Sequence, residues 1–323
     1  MSGLARTGRR GFFTLCLSLL TMFGIAATAR AQSKLRVGVL KIGGQTNAWV
    51  AREQGLFGKR GLDVDLTFIR SGSEGVAAMQ GGSLDMIISI PGFAIIGNER
   101  GLGLVMVLQN QVAAKTPPDS AALLVGADSG ITSLAQLAGK LVGINALHAQ
   151  EVVSAQHLIR KAGVPRDQIK YIETPYAAMG EALKRGDVAA IVPVEPFVTT
   201  TLQRGIGKVA AWAYNEAVPE QPTGAYFAKR AWAEANRKSL ALYREAIDEA
   251  NAWLLSDTTR ARAAVSQFTG LAPELVAAMP LIPWSTKVDA SKWAALVSLL
   301  REEGEIEKDQ KPEDFILELE PAK

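Results

Sequence analysis

The stretch LRVGVL at residues 35–40 decides the fold, because its pattern returns as KLVGIN at residues 140–145. Each copy is a short apolar run followed by a loop of polar and small residues. A second pair recurs at nearly the same spacing, AMQGGSLD at 78–85 and ALKRGDVA at 182–189, and both lead into a further apolar run. Two copies of a strand–loop–helix unit predict an α/β protein of two lobes. Facing lobes, with loops at the carboxyl ends of their strands, predict a cleft for a small ligand.

The first 31 residues have the pattern of an export signal. Three arginines precede an apolar run at 12–27, and residues 29–31 read Ala-Arg-Ala, an A-x-A cleavage site. The apolar run is too short to span a bilayer, so we expect a signal peptide at 1–31, a mature chain that begins at Gln32, and a periplasmic location. The pair Arg9-Arg10 also resembles a twin-arginine signal, and both this route and ordinary Sec export stay open.

Cysteine content and charge narrow the function classes. Cys16 is the only cysteine and lies in the leader, so the mature chain has no thiol, which suits an oxidising compartment. The leader carries four of the 35 basic residues and none of the 32 acidic ones, which leaves 31 basic residues and a net charge of −1. This balance argues against a nucleic-acid partner or binding to an anionic membrane.

Motifs for catalysis, metals and nucleotides are missing from the sequence. His148 and His157 are the only histidines, and nine residues apart they do not share one helical face for a metal site. There is no G-x-S-x-G elbow, no G-x-x-x-x-G-K-[ST] phosphate loop, and no G-x-G-x-x-G after the first strand. We therefore expect no catalytic residue, no metal, no cofactor and no direct ATP binding.

Several segments together resemble one family. GLFGKRGLDV at 55–64 resembles the G-L-F-x-x-x-G-L-D-V segment of periplasmic solute-binding proteins of ABC importers, in the class that serves nitrate, sulfonates, taurine and thiamine-precursor pyrimidines. GGSLD at 81–85 resembles the turn that this class writes A-G-x-h-D, where h is apolar. ITSLAQLAGK at 131–140 resembles its entry to the second lobe, with Gln136 in place of the usual acid, and EPF at 195–197 resembles its acidic–Pro–aromatic element. The likeness runs in order through residues 34–310.

The resemblance implies a type II periplasmic-binding-protein fold, with two Rossmann-like lobes joined by two crossover segments that close on a ligand. Lobe one is expected to comprise 34–116 and 222–323, including C-terminal helices, and lobe two 119–215. The resemblance also implies a monomer that binds a small molecule and delivers it to an ABC permease and its ATPase, which are separate chains. Many members carry Trp where this chain has Val194, so Trp49 or Tyr176 is expected to supply an aromatic wall.

Candidate ligand-binding residues lie on loops at the carboxyl ends of the predicted strands and beside the second crossover. They are Gln45, Asn47, Ser71, Ser73, Ser89, His148, Gln150, Glu195 and Thr223. Ser71 and Ser73 start a predicted helix, whose free N–H groups favour an anion, although plain helix capping explains them equally well. Arg70 is either an anion clamp or a surface residue. Glu195 either repels an anion and favours an amino group, or caps the turn before Pro196.

Three functions remain open on this sequence. The leading prediction is a receptor for a small anion: a sulfonate, a taurine-like compound, nitrate or a small carboxylate. The alternative is a receptor for a neutral or amino-bearing heterocycle such as a thiamine-precursor pyrimidine, which Glu195, Trp49 and Tyr176 favour. The third, a secreted enzyme on this fold, needs Glu195 or His148 poised in the cleft.

Overall fold

The computed structural model describes residues 33–281, 283–308 and 310–320. The predicted leader and its cleavage site lie outside these residues. The strands of the described part are β1 (Ser33–Val39), β2 (Leu62–Phe68), β3 (Met86–Ser89), β4 (Leu104–Val112), β5 (Ala122–Gly126), β6 (Leu141–Ile144), β7 (Lys170–Glu173), β8 (Ala190–Ile191), β9 (Gly207–Trp212) and β10 (Pro222–Lys229).

The α-helices that surround these strands are α1 (Thr46–Glu53), α2 (Gly72–Gln80), α3 (Pro91–Glu99), α4 (Gln150–Lys161), α5 (Tyr176–Arg185), α6 (Phe197–Gln203), α7 (Ala213–Ala217), α8 (Arg230–Ala235), α9 (Arg237–Leu255), α10 (Thr258–Thr269), α11 (Pro273–Ala278), α12 (Ala290–Glu302) and α13 (Pro312–Phe315). In the described residues, no helix is both long enough and apolar enough to cross a membrane.

The strands form two sheets of the same topology. The order is β2-β1-β3-β10-β4 in lobe one and β7-β6-β8-β5-β9 in lobe two, so the predicted two-lobed α/β fold is confirmed. The register also repeats, because Gly38 of β1 pairs with Ile87 and Gly143 of β6 pairs with Ile191. A Cβ on Gly38 would lie 2.7 Å from Leu84 Cδ1, so close packing requires glycine there.

Strand direction places both crossovers at the carboxyl edges of the two sheets. β10 runs antiparallel to β3 and β4, so the start of β10 and the end of β4 share an edge with the carboxyl ends of β1–β3. By the same pattern, β5 begins and β9 ends at the carboxyl edge of lobe two. The crossovers at 113–121 and 213–221 therefore join the carboxyl edges of the two sheets. They run side by side, since the Ala113 N–H donates to the Gln221 carbonyl at 2.8 Å.

Each sheet is covered on both faces. In lobe one, α1, α9 and α10 pack on one face, and α2, α3, α12 and α13 pack on the other. In lobe two, α4 covers one face, while α5 and α6 cover the other. The tail is helical as predicted, and Trp293 of α12 is fully buried in the lobe-one core.

The family-like segments at 55–64 and 81–85 stabilise lobe one. Phe57 stacks on Tyr243 of α9 with ring centroids 4.8 Å apart. Asp85 accepts hydrogen bonds from the backbone N–H of Arg36 at 2.8 Å and from its Nε at 3.0 Å, which fastens the turn to β1.

Three further elements complete this architecture. β4 extends to Val112, because the polar residues 109–111 are buried and continue the pairing with β10. α3 was not predicted, since its apolar residues continue those of β3, and Pro91 at its first position marks the start. The segment 202–213, expected to complete lobe two, contains the end of α6 and all of β9.

Candidate functional site

Two of the predicted ligand residues anchor the loop after β1 through buried hydrogen bonds. Gln45 Oε1 accepts a hydrogen bond from the Leu40 N–H at 2.7 Å. Asn47 Nδ2 donates to Asn110 Oδ1 at 2.8 Å and to Asn251 Oδ1 at 2.9 Å. Because these polar atoms are occupied, the structure gives Gln45 and Asn47 a scaffolding role, which argues against direct ligand contact.

The start of α2 does not present a free anion site. Ser71 Oγ accepts from the Glu74 N–H at 3.1 Å, as a helix-capping residue does, and Ser73 is exposed. Arg70 is 91% exposed and pairs with Glu74 at 3.1 Å, and its N–H also donates to that carboxylate at 2.9 Å. The Glu74 carboxylate thus already provides the negative charge that a helix N-terminus favours. The predicted Arg70 clamp is not formed in this structure.

Gln150 connects the lobes instead of presenting free atoms to a ligand. Its Oε1 accepts from the Gly92 N–H of lobe one at 3.0 Å. Its Nε2 donates to Gln221 Oε1 at 2.9 Å and to the Pro222 carbonyl at 2.8 Å. The side chain is fully buried and all of these groups are engaged.

His148 lies beside α4, next to a separate cavity. Its backbone has a positive φ of 68°, and its Nδ1 lies 2.5 Å from Glu305 Oε2. The cavity has a volume of about 200 Å³ and is also lined by Leu147, Arg166 and Tyr171. The described contact of His148 is thus an ion pair with Glu305, a residue that follows α12.

Glu195 is half-buried at the start of α6. Its Oε1 accepts from Thr199 Oγ1 at 2.7 Å and its Oε2 from the Thr199 N–H at 3.2 Å. Burial raises the pKa of the Glu195 carboxyl to about 7, although the two bonds from Thr199 oppose that change. These contacts agree with the second alternative for Glu195, in which its carboxyl caps a turn instead of contacting a ligand.

Of the ten residues in the described part of the chain whose buried polar side-chain atoms have no hydrogen-bond partner, five lie near the carboxyl edge of lobe one or in the crossovers. They are Thr46 Oγ1, Gln111 Oε1, Asp119 Oδ2, Asn215 Oδ1 and Nδ2, and Thr223 Oγ1. Each side chain is at least nine-tenths buried. An unpaired buried polar group is destabilising, so several together mark a site that a ligand can complete. We call these five residues the polar band.

Three residues of the polar band lie at the carboxyl edge of the lobe-one sheet, and two lie in the crossovers. Thr46 is the first residue of α1, Gln111 lies near the end of β4, and Thr223 lies near the start of β10. Gln111 Nε2 lies 3.5 Å from the Thr223 carbonyl. Asp119 lies in the first crossover and Asn215 in the second.

Of these five residues, the sequence singled out only Thr223. The run Gln109–Gln111 was a signal for Gln111, because three polar residues continue a buried strand. Ser89, also predicted, is buried at the end of β3, and its Oγ lies 3.0 Å from the Cβ position on Gly72.

Acidic groups accompany the polar band. Burial raises the pKa of Asp119 and of Glu151, which lies in the first turn of α4. The hydroxyls of Tyr176 and Tyr214 both donate to the Glu151 carboxylate. Among the described residues, no lysine or arginine is buried. The region therefore offers hydroxyl, amide and carboxyl groups as hydrogen-bonding partners for a ligand, without a buried cation beside them in the described part of the chain.

An aromatic pair lies on the lobe-two edge. The half-buried rings of Tyr176 and Phe197 stack with centroids 5.7 Å apart and planes inclined by 17°. Trp49, the other predicted aromatic wall, instead packs against Phe268 in lobe one at 5.9 Å. Within the described residues, no group of three or more His, Cys, Asp or Glu side chains is arranged to hold a metal ion.

Comparison with known sequences places residues 28–268 within the NMT1-like family model. A protein of Brucella abortus (strain 2308), described as a candidate binding protein, is 26% identical over 227 residues. That match covers 69% of this chain and 66% of the relative, so it spans just under two thirds of the relative's length.

Known structures share the fold. The periplasmic aliphatic sulphonate binding protein SsuA from Escherichia coli has a TM-score of 0.75 at 22% identity, over 88% of this chain and 97% of SsuA. The desulfurization enzyme DszB has a TM-score of 0.61 at 12% identity, over 85% of this chain and 93% of the enzyme. The fold is thus one that binding proteins and at least one enzyme have in common.

Proposed function

Because this chain belongs to the NMT1-like family and has the fold of periplasmic binding proteins, we propose that it is the substrate-binding component of an ABC importer. It captures a small molecule between its lobes and delivers it to a permease, which works with a separate ATPase. The observation that carries this proposal is the polar band, whose unpaired atoms lie along the carboxyl edge and crossovers where such folds bind ligands. The leader supports cleavage before Gln32 and a periplasmic location.

Ligand capture follows from the position of the polar band. These side chains are buried in the structure, so a solute reaches them only when the residues that cover them move. A solute that contacts both lobes binds the closed arrangement better and shifts the population towards it.

The charges favour a donor-bearing solute over the anion that the sequence put first. Buried Asp119 and Glu151 provide carboxyl oxygens that accept hydrogen bonds from a solute, whereas no buried lysine or arginine among the described residues can pair with a sulfonate or nitrate. Glu74 and the exposed Ser73 also weaken the case for an anion at α2. The stacked pair of Tyr176 and Phe197 suits a planar ring. We therefore place the neutral or amino-bearing heterocycle first and keep the small anion as the alternative.

An enzyme on this fold receives less support from the same residues. The two candidate catalytic groups are engaged separately, because Glu195 accepts from Thr199 and His148 pairs with Glu305. No nucleophile–base pair is formed by them.

A thermal-shift screen with two panels tests the proposal. One panel contains amino-bearing pyrimidines and related heterocycles, and the other contains nitrate, taurine, alkanesulfonates and small carboxylates. A solute present at about 100 times its dissociation constant stabilises the folded protein by about 2.7 kcal/mol. Stabilisation by heterocycles alone is the expected result, stabilisation by anions alone restores the alternative, and product formation from a stabilising compound would indicate an enzyme.

Variants then locate the binding site by calorimetric titration with the best stabilising compound. Thr223→Val removes a buried hydroxyl and should weaken binding about tenfold, or about 1.4 kcal/mol. Thr67→Val, in the exposed part of β2, is the matched control and should bind like the wild type. If Ser73→Ala weakens binding and Thr223→Val does not, the ligand lies at α2 and the polar band is not the site.

A further inference from the structure

The cavity beside His148 lies apart from the polar band. It extends over the first two turns of α4, as far as Gln156, and is closed by the residues that lead into β7 and by Glu305 after α12. β7 is the outermost strand of the lobe-two sheet, three strand spacings or about 14 Å from β5, where the first crossover enters. The lining residues and the polar band have no member in common.

One wall of this cavity is apolar. Val152 and Val153 of α4 and Ile169 before β7 form it, and all three are buried. Leu147 lies at the mouth and is 52% exposed. A cavity of about 150 Å³ can hold benzene, so the volume of about 200 Å³ found here admits a ligand of roughly eight to ten heavy atoms.

The polar groups deep in the cavity already have partners. The Tyr171 hydroxyl donates to Gln156 Oε1 at 3.2 Å. Gln156 Nε2 in turn donates to Glu303 Oε2 at 2.9 Å. A ligand therefore has no unpaired amide to complete there, and its polar atoms belong at the mouth.

Two opposite charges lie side by side at the mouth and retain bonding capacity. Glu305 is only 6% exposed in its side chain, and its Oε2 lies 2.5 Å from His148 Nδ1. Its other oxygen, Oε1, lies 3.6 Å from Arg166 Nη2, which is longer than a hydrogen bond. Within the described part of the chain, nothing donates a hydrogen bond to that Oε1, and the Arg166 guanidinium donates none. An arginine side chain has five N–H donors, so this pair can still bind a ligand.

Gly304 sets the position of the arginine. Its φ is 69°, and a Cβ atom on it would lie 2.5 Å from Arg166 Nη1. Because glycine has no side chain, the guanidinium can lie against the backbone beside Glu305. The donor and the acceptor are thereby kept next to each other.

From these contacts we propose that the cavity is a second binding site, for a free α-amino acid with a branched aliphatic side chain such as leucine. An α-amino acid carries its ammonium and carboxylate groups on one carbon, so it needs an acceptor and a donor side by side. Glu305 Oε1 accepts from the ammonium group, and Arg166 donates to the carboxylate. The aliphatic side chain packs against the apolar wall. This site goes beyond the proposed function, because the solute of the polar band binds elsewhere.

Calorimetric titration of the exported protein with leucine and its fragments tests the proposal. Isocaproate lacks the ammonium group of leucine, and isopentylamine lacks the carboxylate. Each should bind about tenfold or more weakly than leucine, because each leaves one of the two charges at the mouth without a ligand group. Glycine should also bind more weakly, since it does not reach the apolar wall, and tryptophan should not bind, since it exceeds the volume. Isocaproate that binds as tightly as leucine would contradict the role of Glu305.

Arg166→Gln provides the matched variant. Its side chain is 50% exposed and donates no hydrogen bond to the described residues, so the variant should fold. We expect the affinity for leucine to fall about tenfold or more. Lys161→Gln is the control, because this lysine is an exposed cation of α4 that does not line the cavity, and it should bind leucine like the wild type. Equal affinities in the two variants would overturn the proposal.

Two further outcomes separate this site from the polar band. Leucine binding that is lost in Thr223→Val and kept in Arg166→Gln would place the amino acid at the polar band and overturn the second site. No leucine binding in the wild type would also overturn it. If a heterocycle or an anion still stabilises that same protein, the proposed function stands without the second site.

Discussion

The side chain of Gln111 lies directly over Gly44. Its Oε1 is 1.8 Å from the position that a Cβ atom on Gly44 would take, although the two residues lie on different elements. The Gly44 carbonyl also accepts from Asn110 Nδ2 at 2.8 Å and from Trp284 Nε1 at 3.0 Å, so the backbone there is held in place. Glycine at position 44 thus sets the position of one unpaired atom of the polar band.

Gly44→Ala should weaken solute binding without unfolding the protein. The new methyl group displaces the flexible Gln111 amide, and we expect about a tenfold loss of affinity for the compound that best stabilises the wild type, or about 1.4 kcal/mol by calorimetry. Gly43→Ala is the control, because its Cβ would make only an ordinary contact with Val265 at 3.5 Å. Equal affinity in both variants would remove Gln111 from the site.

Glu303→Gln should lower the free energy of unfolding by about 3 kcal/mol, because His157 and Arg160 lose the charge that they surround. Urea denaturation measures the change. Glu302→Gln, on the exposed side of the same turn, should stay within about 0.5 kcal/mol of the wild type. A loss as small as that of the control would show that the buried carboxylate contributes little.

Gln150→Ala should cost about 1–3 kcal/mol of stability, since the N–H of Gly92 and the side chain of Gln221 lose their partner inside the protein. Thermal denaturation of the variant is compared with that of Gln203→Ala, an exposed glutamine on α6 that should be neutral. Equal melting temperatures for the two variants would contradict the bridging role of Gln150.

The raised pKa of Glu195 predicts that the stability of the protein depends on pH. An ordinary glutamate has a pKa of 4.5, and burial raises that of Glu195 to about 7, so between these values the folded protein keeps a proton that the unfolded chain has lost. The stabilisation is complete below pH 4.5 and is lost as the pH rises through about 7, by roughly 3 kcal/mol.

Urea denaturation from about pH 4.5 to 7.5 should therefore show a shallower fall in Glu195→Gln than in the wild type. Part of the slope should remain, because burial also raises the pKa of Asp119 and Glu151. The exposed Glu274→Gln serves as the control and should keep the wild-type slope. A Glu195→Gln slope identical to that of the control would place the titrating group elsewhere.

The sheets could be predicted from the sequence because their strands are duplicated in pattern. Gly38 and Gly143 occur in similar apolar runs, and the structure pairs each with an isoleucine at the same register. Periodicity and small residues are local features, so they can be recognised without knowing the partner strand.

The site was harder to predict, since its important contacts join residues far apart in the chain. Nothing near Gln150 indicates that its amide reaches Gly92 and Pro222 of the other lobe. Asn47 was a reasonable ligand candidate on its loop, yet Asn251, two hundred residues later, occupies its amide. Whether a polar side chain is free or engaged is decided by tertiary contacts, which single-sequence patterns do not contain.

The side-by-side crossovers have a consequence for how this molecule could be rebuilt. Because Ala113 and Gln221 are joined by a hydrogen bond, lobe two enters and leaves lobe one at a single point, as an inserted cassette does. A short linker between those positions would close lobe one into a continuous domain, and a cassette from a relative could be grafted in its place. The grafted lobe would need an α4 whose side chains pair with Glu303 of lobe one. The fit between the grafted lobe and lobe one is therefore decided at α4, which lies far along the chain from the two junctions.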